Sequence, residues 1–206
     1  MAGTMNLEDL ERVNKLWQKI YPHLADQIQG YFGASTGNVL EWGPFSGGMT
    51  LALAYRKPGL NFHIAVEEEA VYTLMSRMLA ESGMAGKIHL CMSGLNPMCF
   101  VEGHFDLVLI RGAYFFLDSE GQCLREVYRV LKAGGVGFLG GGYGKGTPQA
   151  DIDVIAQESR LLNDRLGRIR VTPQDLENMV HRSGLAERIK IEMDGGLWLV
   201  IRKEKR

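Results

Sequence analysis

The strongest constraint on this chain is an alternation. Short apolar runs take turns with amphipathic stretches from residue 38 to about residue 142. Residues 38–41, 61–66, 87–92, 106–110 and 136–139 carry strand patterns, and 49–55, 69–82 and 119–133 carry helical ones between them. The run Leu107-Val108-Leu109-Ile110 is apolar on both faces, as a strand with helices on either side must be. Within 69–82, Val71, Leu74, Met75, Met78 and Leu79 recur at helical spacing and predict an inward face. Ser119, with Gln122 three residues on, predicts a capping box that starts the next helix. The glycines after Ala133 predict its end. Strand and helix in alternation dictate a mostly parallel sheet covered on both faces.

The two ends differ from this middle. In the first 32 residues Leu7, Leu10, Val13, Leu16, Trp17 and Ile20 fall on one helical face, Pro22 interrupts it, and Leu24, Ile28 and Phe32 resume it. Residues 1–37 are therefore expected to form a helical cap before a domain spanning 38–206. Near the other end, Thr172-Pro173 predicts a helix start and Gly184 its stop. Two strand patterns, 187–192 and 197–202, follow, joined through Asp194-Gly195, a strong hairpin signal. The expected fold is α/β: a Rossmann-like, mostly parallel seven-stranded sheet with helices on both faces and a C-terminal antiparallel hairpin.

Composition narrows the function classes. The 206 residues are 46% apolar with a formal net charge of −1. That is enough apolar material for one substantial core, and no global field for nucleic acid. No run reaches the roughly 18 apolar residues of a membrane span, and the N-terminus has no apolar leader. Cys91, Cys99 and Cys123 lack metal-ligand spacing. The expectation is a cytoplasmic protein with reduced thiols, no metal, no membrane span and no nucleic-acid partner.

The chemistry concentrates at one turn. Val39-Leu40-Glu41-Trp42-Gly43-Pro44-Phe45-Ser46-Gly47-Gly48 sits where a strand gives way to a helix. Glycines there let backbone approach a ligand. Glu67 ends the second strand, 20 residues beyond Gly47, and a carboxylate in that place accepts hydrogen bonds from ribose hydroxyls. The order Gly-x-x-x-Gly is not the Gly-x-Gly-x-x-Gly of a nicotinamide dinucleotide turn, and Phe45 would crowd a pyrophosphate.

These residues resemble the class I S-adenosylmethionine-dependent methyltransferases, in the small-molecule branch related to quinone-biosynthesis methyltransferases. The resemblance runs through Glu41–Gly48 and Glu67, then 105–113 (Phe-Asp-Leu-Val-Leu-Ile-Arg-Gly-Ala). It continues through 124–135, which closes on Leu131-Lys132-Ala133-Gly134-Gly135. It implies S-adenosyl-L-methionine as cofactor, with Gly43, Phe45 and Gly47 along its methionine and ribose portions. Glu41 would stand at the amino end, Glu67 on the ribose, and Ser93, Gly94 and Leu95 at the adenine. Arg111 and Gly112 would line the methyl-donor cavity. The chain departs from the family in three places. Phe45 stands where glycine is usual, Gly94 where an acid is usual, and Phe116 near a position often held by histidine.

Methyl transfer from a sulfonium needs alignment and water exclusion more than acid–base groups. Of His89, His104, Tyr114 and Tyr143, Tyr143 is the candidate base, because it follows the fifth strand, where ligands sit in open sheets. The run Gly140–Pro148 predicts a flexible substrate loop, with 143–171 as a lid insertion. The charges Arg160, Asp164, Arg165 and Arg168 on its helix read as a solvated face. Trp17, Tyr21, Tyr114, Phe115 and Lys145 are the candidate contacts for a small, partly apolar acceptor. The alternative is a non-catalytic binding or scaffold protein of the same fold with an impaired cofactor site.

Overall fold

A computed structural model describes residues 6–205. Seven strands form one sheet in the order β3-β2-β1-β4-β5-β7-β6. They are β1 (Gly37–Trp42), β2 (Leu60–Val66), β3 (Ile88–Met92), β4 (Phe105–Arg111), β5 (Leu131–Gly142), β6 (Ile189–Glu192) and β7 (Gly196–Arg202). The first five are parallel to one another, and β7 enters antiparallel between β5 and β6. The expected fold class and terminal hairpin are what the structure has.

Side chains alternate across the sheet and build two cores. Val39, Ile64, Leu107, Leu109 and Phe138 face one core, and Leu40, Ala65, Val108, Ile110 and Leu139 face the other. The first core is covered by α1 (Leu7–Leu16), α2 (Tyr21–Tyr31), α3 (Gly48–Arg56), α4 (Glu69–Glu81) and α6 (Gln149–Arg165). The second is covered by α5 (Gln122–Val130) and α7 (Pro173–Ser183). Because side chains alternate, Glu41 falls on the same face as Val39, and Arg111 on the face of Leu107 and Leu109. Two charged residues therefore end adjacent strands on the first face.

Three boundaries depart from the sequence reading. Helix α5 starts at Gln122, not Ser119. The carboxylate of Asp118 accepts from the N–H groups of Gln122 and Cys123, each at 2.9 Å, so one residue takes two of the free donors at the helix start. The same helix ends at Val130, before the glycines. Leu131 already pairs with Phe105, and the Lys132 ammonium reaches the Asp106 carboxylate at 2.7 Å. The third departure is the glycine run 140–146, which is fastened. Gly140, Gly141 and Gly142 pair with Trp198, Leu197 and Gly196, and the Gly144 N–H donates to the Gly195 carbonyl at 2.8 Å. The amide of Gln27 then donates to the Asp194 carbonyl and accepts from the Lys145 N–H, both at 3.0 Å. Gly144 and Gly195 have positive φ and pass at backbone contact, so a side chain on Gly195 would meet the loop.

The two segments outside the shared core pack on each other. Leu10, Val13 and Trp17 from the N-terminal cap join Ile155, Leu162 and Leu166 in the first core. Arg12–Glu158 at 2.6 Å and Arg165–Asp9 at 2.6 Å flank this contact. Such exposed pairs contribute at most about 1 kcal/mol each, so apolar burial holds the roof.

His89 and His104 lie with His63 toward the amino ends of the strands. His63 and His89 stack at 5.0 Å between ring centres, and His104 meets His63 edge-on at 5.9 Å. His63 Nδ1 is buried without a hydrogen-bond partner among the described residues. Burial first, then the neighbouring His89, holds this imidazole below its ordinary value. The unfolded chain therefore takes up the proton at a higher pH than the folded one, and stability is lost as pH falls through about 6.5 toward the folded value. The melting temperature is expected to hold above about pH 7 and to drop as pH falls below about 6.5. A His63→Gln variant should show a shallower drop over that window, and parallel slopes would contradict this account.

Candidate active site

The carboxyl ends of β1, β2, β4 and β5 form one edge, where a doubly wound sheet binds ligands. The turn after β1 is held by Glu41. Its side chain is fully buried, and one carboxylate oxygen accepts from the N–H groups of Gly47 and Thr50, both at 2.9 Å. Oε1 has no partner among the described residues. Burial pushes the Glu41 carboxyl above its ordinary range, against the pull of Thr50, Gly47 and Arg111. Glu41 thus shapes the turn and the start of α3. The N–H of Gly47 is used up by this bond, and the side of Gly47 where a side chain would project is filled by Met78. At Gly43 that side is open, with Phe116 at 3.9 Å the nearest atom.

Phe45 points across the edge to β4. Its ring is 2% exposed, lies 4.8 Å from the ring of Phe115 and covers Gly112. Gly112 adopts φ +66°, and a Cβ there would sit 2.5 Å from the Phe45 ring. Arg111 precedes it, 5% exposed, with its guanidinium 4.4 Å above the Trp17 ring. Burial lowers the pKa of this arginine, opposed by Tyr21 and Glu41.

A cavity of about 240 Å³ opens beside these groups. Its floor is Arg111, Gly112, Gly141 and Gly142, and its walls include Phe45, Phe115 and Tyr114. Its roof comes from the two extra segments. Trp17 stacks on Tyr143 at 5.1 Å, and Ser159, Asn163 and Arg168 close the side. The Asn14 amide donates to the Pro44 carbonyl at 3.1 Å and ties this roof to the glycine turn.

The predicted residues divide between two halves of the edge. Glu67 is exposed at the end of β2, with Oε1 3.6 Å from where a Gly94 side chain would begin. Ser93 and Leu95 are buried beside it. The Ser93 hydroxyl donates to the Gly94 carbonyl at 2.9 Å and accepts from the Cys99 N–H at 3.0 Å, and its carbonyl accepts from Trp42. That hydroxyl is thereby taken up internally. Arg111, Gly112, Trp17, Tyr114, Phe115 and Tyr143 meet at the cavity two strands away.

The structure places the other candidates as follows. Tyr21 packs on Gly48, with its ring 5.5 Å from the Arg111 guanidinium. The Tyr114 hydroxyl donates to the Leu197 carbonyl, and Tyr114 lines the cavity. Lys145 is exposed and paired with Asp194 at 2.9 Å. Burial raises the Tyr143 phenol, against the pull of Arg160, Arg168 and Ser159, so it holds its proton more firmly than an exposed tyrosine. Arg168 stands on the cavity wall, contrary to its reading as solvated charge. Ser159 was missed, although Ile155, Ser159 and Leu162 follow the buried face of α6 at helical spacing.

Residues 40–139 match the family described as a methyltransferase domain. No curated protein matches the sequence. Among solved structures, a protein of Methanococcus maripaludis described as an S-adenosyl-L-methionine-dependent methyltransferase superposes with TM-score 0.79 at 22% identity, over 96% of this chain and 93% of that one. PigF with SAH gives 0.64 at 17% identity, over 96% of this chain and 60% of that one. Geranyl diphosphate methyltransferase in complex with SAM gives 0.61 at 12%, over 90% and 85%. At these identities the superpositions establish the fold.

The packing of Phe45 on Gly112 gives a direct test. Gly112→Ala adds an unfavourable left-handed residue and a ring clash, and should destabilise the fold by about 2–4 kcal/mol in urea unfolding. Combined with Phe45→Ala, it should cost less than the sum of the two single losses. Strict additivity would show that the ring does not press on position 112.

Proposed function

We propose that this chain is a class I S-adenosylmethionine-dependent methyltransferase and that it methylates a small, partly apolar acceptor held in the cavity over β4 and β5; the methyltransferase-domain match over residues 40–139 and the fold support the reading. The residues present fit the cofactor. The open side of Gly43, the free Glu67 carboxylate and the small Gly94 leave room for a nucleoside. Gly43, Glu67, Gly94 and Leu95 would hold the sugar and base, with Glu41 fixing the turn. Arg111 and Gly112 would line the methyl side. When bound, the cofactor supplies an electrophilic methyl group on a sulfonium.

The chain's own part is placement and dryness. The single observation that carries the reading is the cavity: it sits at the carboxyl ends of β4 and β5, partly covered by the Trp17–Tyr143 stack. Rings of Phe45, Phe115 and Trp17 give it apolar walls, which favour a displacement whose charge is dispersed as it proceeds. Phe115 and Trp17 offer flat apolar surface to orient the acceptor, and orientation is the main contribution such a reaction draws from protein. Tyr143, protonated, donates a hydrogen bond to the acceptor.

The test is calorimetric titration with S-adenosylhomocysteine. The wild-type chain should bind it, and Glu67→Ala should bind it about 1–3 kcal/mol more weakly with its fold intact by circular dichroism. With methyl-labelled S-adenosylmethionine and a cell extract, label should enter the small-molecule fraction. Label confined to protein or nucleic acid would overturn the acceptor class, and absence of cofactor binding would overturn the reading as a whole.

A further inference from the structure

The cavity holds an apparent contradiction. Its walls are aromatic, yet its floor is a guanidinium. Arg111 is buried to 5% exposure, and its Nη1 has no hydrogen-bond partner among the described residues. A buried arginine ordinarily finds a carboxylate or carbonyls, because leaving its donors dry is costly. The carboxylate that acts on it, Glu41, is already bound to Gly47 and Thr50, and burial shifts it toward the neutral form. The guanidinium lies 4.4 Å above the Trp17 ring, 5.5 Å from the Tyr21 ring and 5.8 Å from the Phe45 ring, so aromatic faces and not a bonded acid surround it. A second arginine stands on the wall. Arg168 gives one terminal nitrogen to Asp164 at 2.8 Å, while its Nε is buried without a partner.

We propose that the acceptor carries a carboxylate, received by Arg111 with Arg168 behind it, on a flat apolar body that lies among Trp17, Phe45, Phe115 and Tyr143. This rests on the reading that the cavity is the acceptor site. Among the described residues Arg111 has no acid bonded to it, and Arg168 shares the Asp164 carboxylate with Arg170, at 2.8 and 3.6 Å, so the cavity wall carries positive charge that suits a carboxylate. Size agrees, since a cavity of about 150 Å³ holds a benzene ring, and this one, at about 240 Å³, has room for a ring and a carboxylate. The cofactor's own carboxylate is the competing anion, since Arg111 and Gly112 line this cavity and also the methyl side, and saturation with S-adenosylhomocysteine before titration separates the two.

The experiment is titration calorimetry on the full chain saturated with S-adenosylhomocysteine. The probes are benzoate, phenylacetate and indole-3-acetate, each beside its primary amide. At least one carboxylate should bind about tenfold more tightly than its amide. Arg111→Met should erase that preference, Arg111→Lys should keep most of it, and Arg168→Gln should weaken it. Should Arg111→Met fail to fold, the wild-type preference and the Arg168→Gln variant decide the matter. Equal binding of acid and amide, or binding of neither by a chain that binds S-adenosylhomocysteine, overturns this proposal and leaves the methyltransferase reading standing. An Arg111→Met variant that loses S-adenosylhomocysteine affinity but keeps the probe preference also overturns it, by giving the arginine to the cofactor. Failure of the wild-type chain to bind S-adenosylhomocysteine overturns the earlier reading, and this one with it.

Discussion

The arrangement depends first on one buried carboxylate. Glu41 ends β1 inside the protein and binds the N–H groups of Gly47 and Thr50 through a single oxygen. Those N–H groups belong to the start of α3, where backbone donors have no partner in the helix itself. The carboxylate therefore sets the direction in which α3 leaves the sheet and the path of the turn between. With the turn fixed, Phe45 can only project toward β4, and Gly43 is left facing the open edge. A residue that looks like a ligand contact in the sequence is, in the folded chain, the bond that makes the turn a turn.

That constraint divides the carboxyl edge into two halves. On the β2 side, Glu67 and Gly94 stand in an open setting. On the β4–β5 side, a half-open cavity is lined by Trp17 from the N-terminal helices and by Ser159 and Asn163 from α6. Phe45 is the partition, since its ring covers Gly112 and lines the cavity at once. Aromatic mass at the usual place of a glycine thus does not simply plug the crevice. It gives the β4–β5 side an aromatic wall. The N-terminal cap and α6 complete it by packing on each other, which neither does in isolation.

Much of this was legible in the sequence because it follows from periodicity. The strand-helix alternation, the apolar β4, the Thr172-Pro173 start of α7 and the Asp-Gly hairpin are local signals, and apart from α5 and β5 each sits within a residue or two of its expected place. The misreadings have a common physical cause: they turn on what another part of the chain supplies. The glycines at 140–146 look flexible until β7 and the 194–195 turn are laid against them. Lys145 looks like a substrate contact until Asp194 takes it, and Arg168 looks solvated until the roof brings it to the cavity. Capping by Asp118 over Ser119 was a closer contest, and the carboxylate prevailed because its two oxygens serve two donors.

Arg111 is the instructive exception, because its alternation with Leu107 and Leu109 already placed it on the inward face. A charge at a core position contradicts the local pattern, and such contradictions persist where a site requires them. Stacking on Trp17 and the field of Glu41 offset only part of the desolvation. The remainder is a standing loss of stability that a methionine of similar length would avoid. The fold keeps the cation at the one point where two strands, a roof helix and an aromatic wall converge. Rings of Trp17 at 4.4 Å, Tyr21 at 5.5 Å and Phe45 at 5.8 Å surround the guanidinium, so most of its side-chain freedom is already spent in the folded chain.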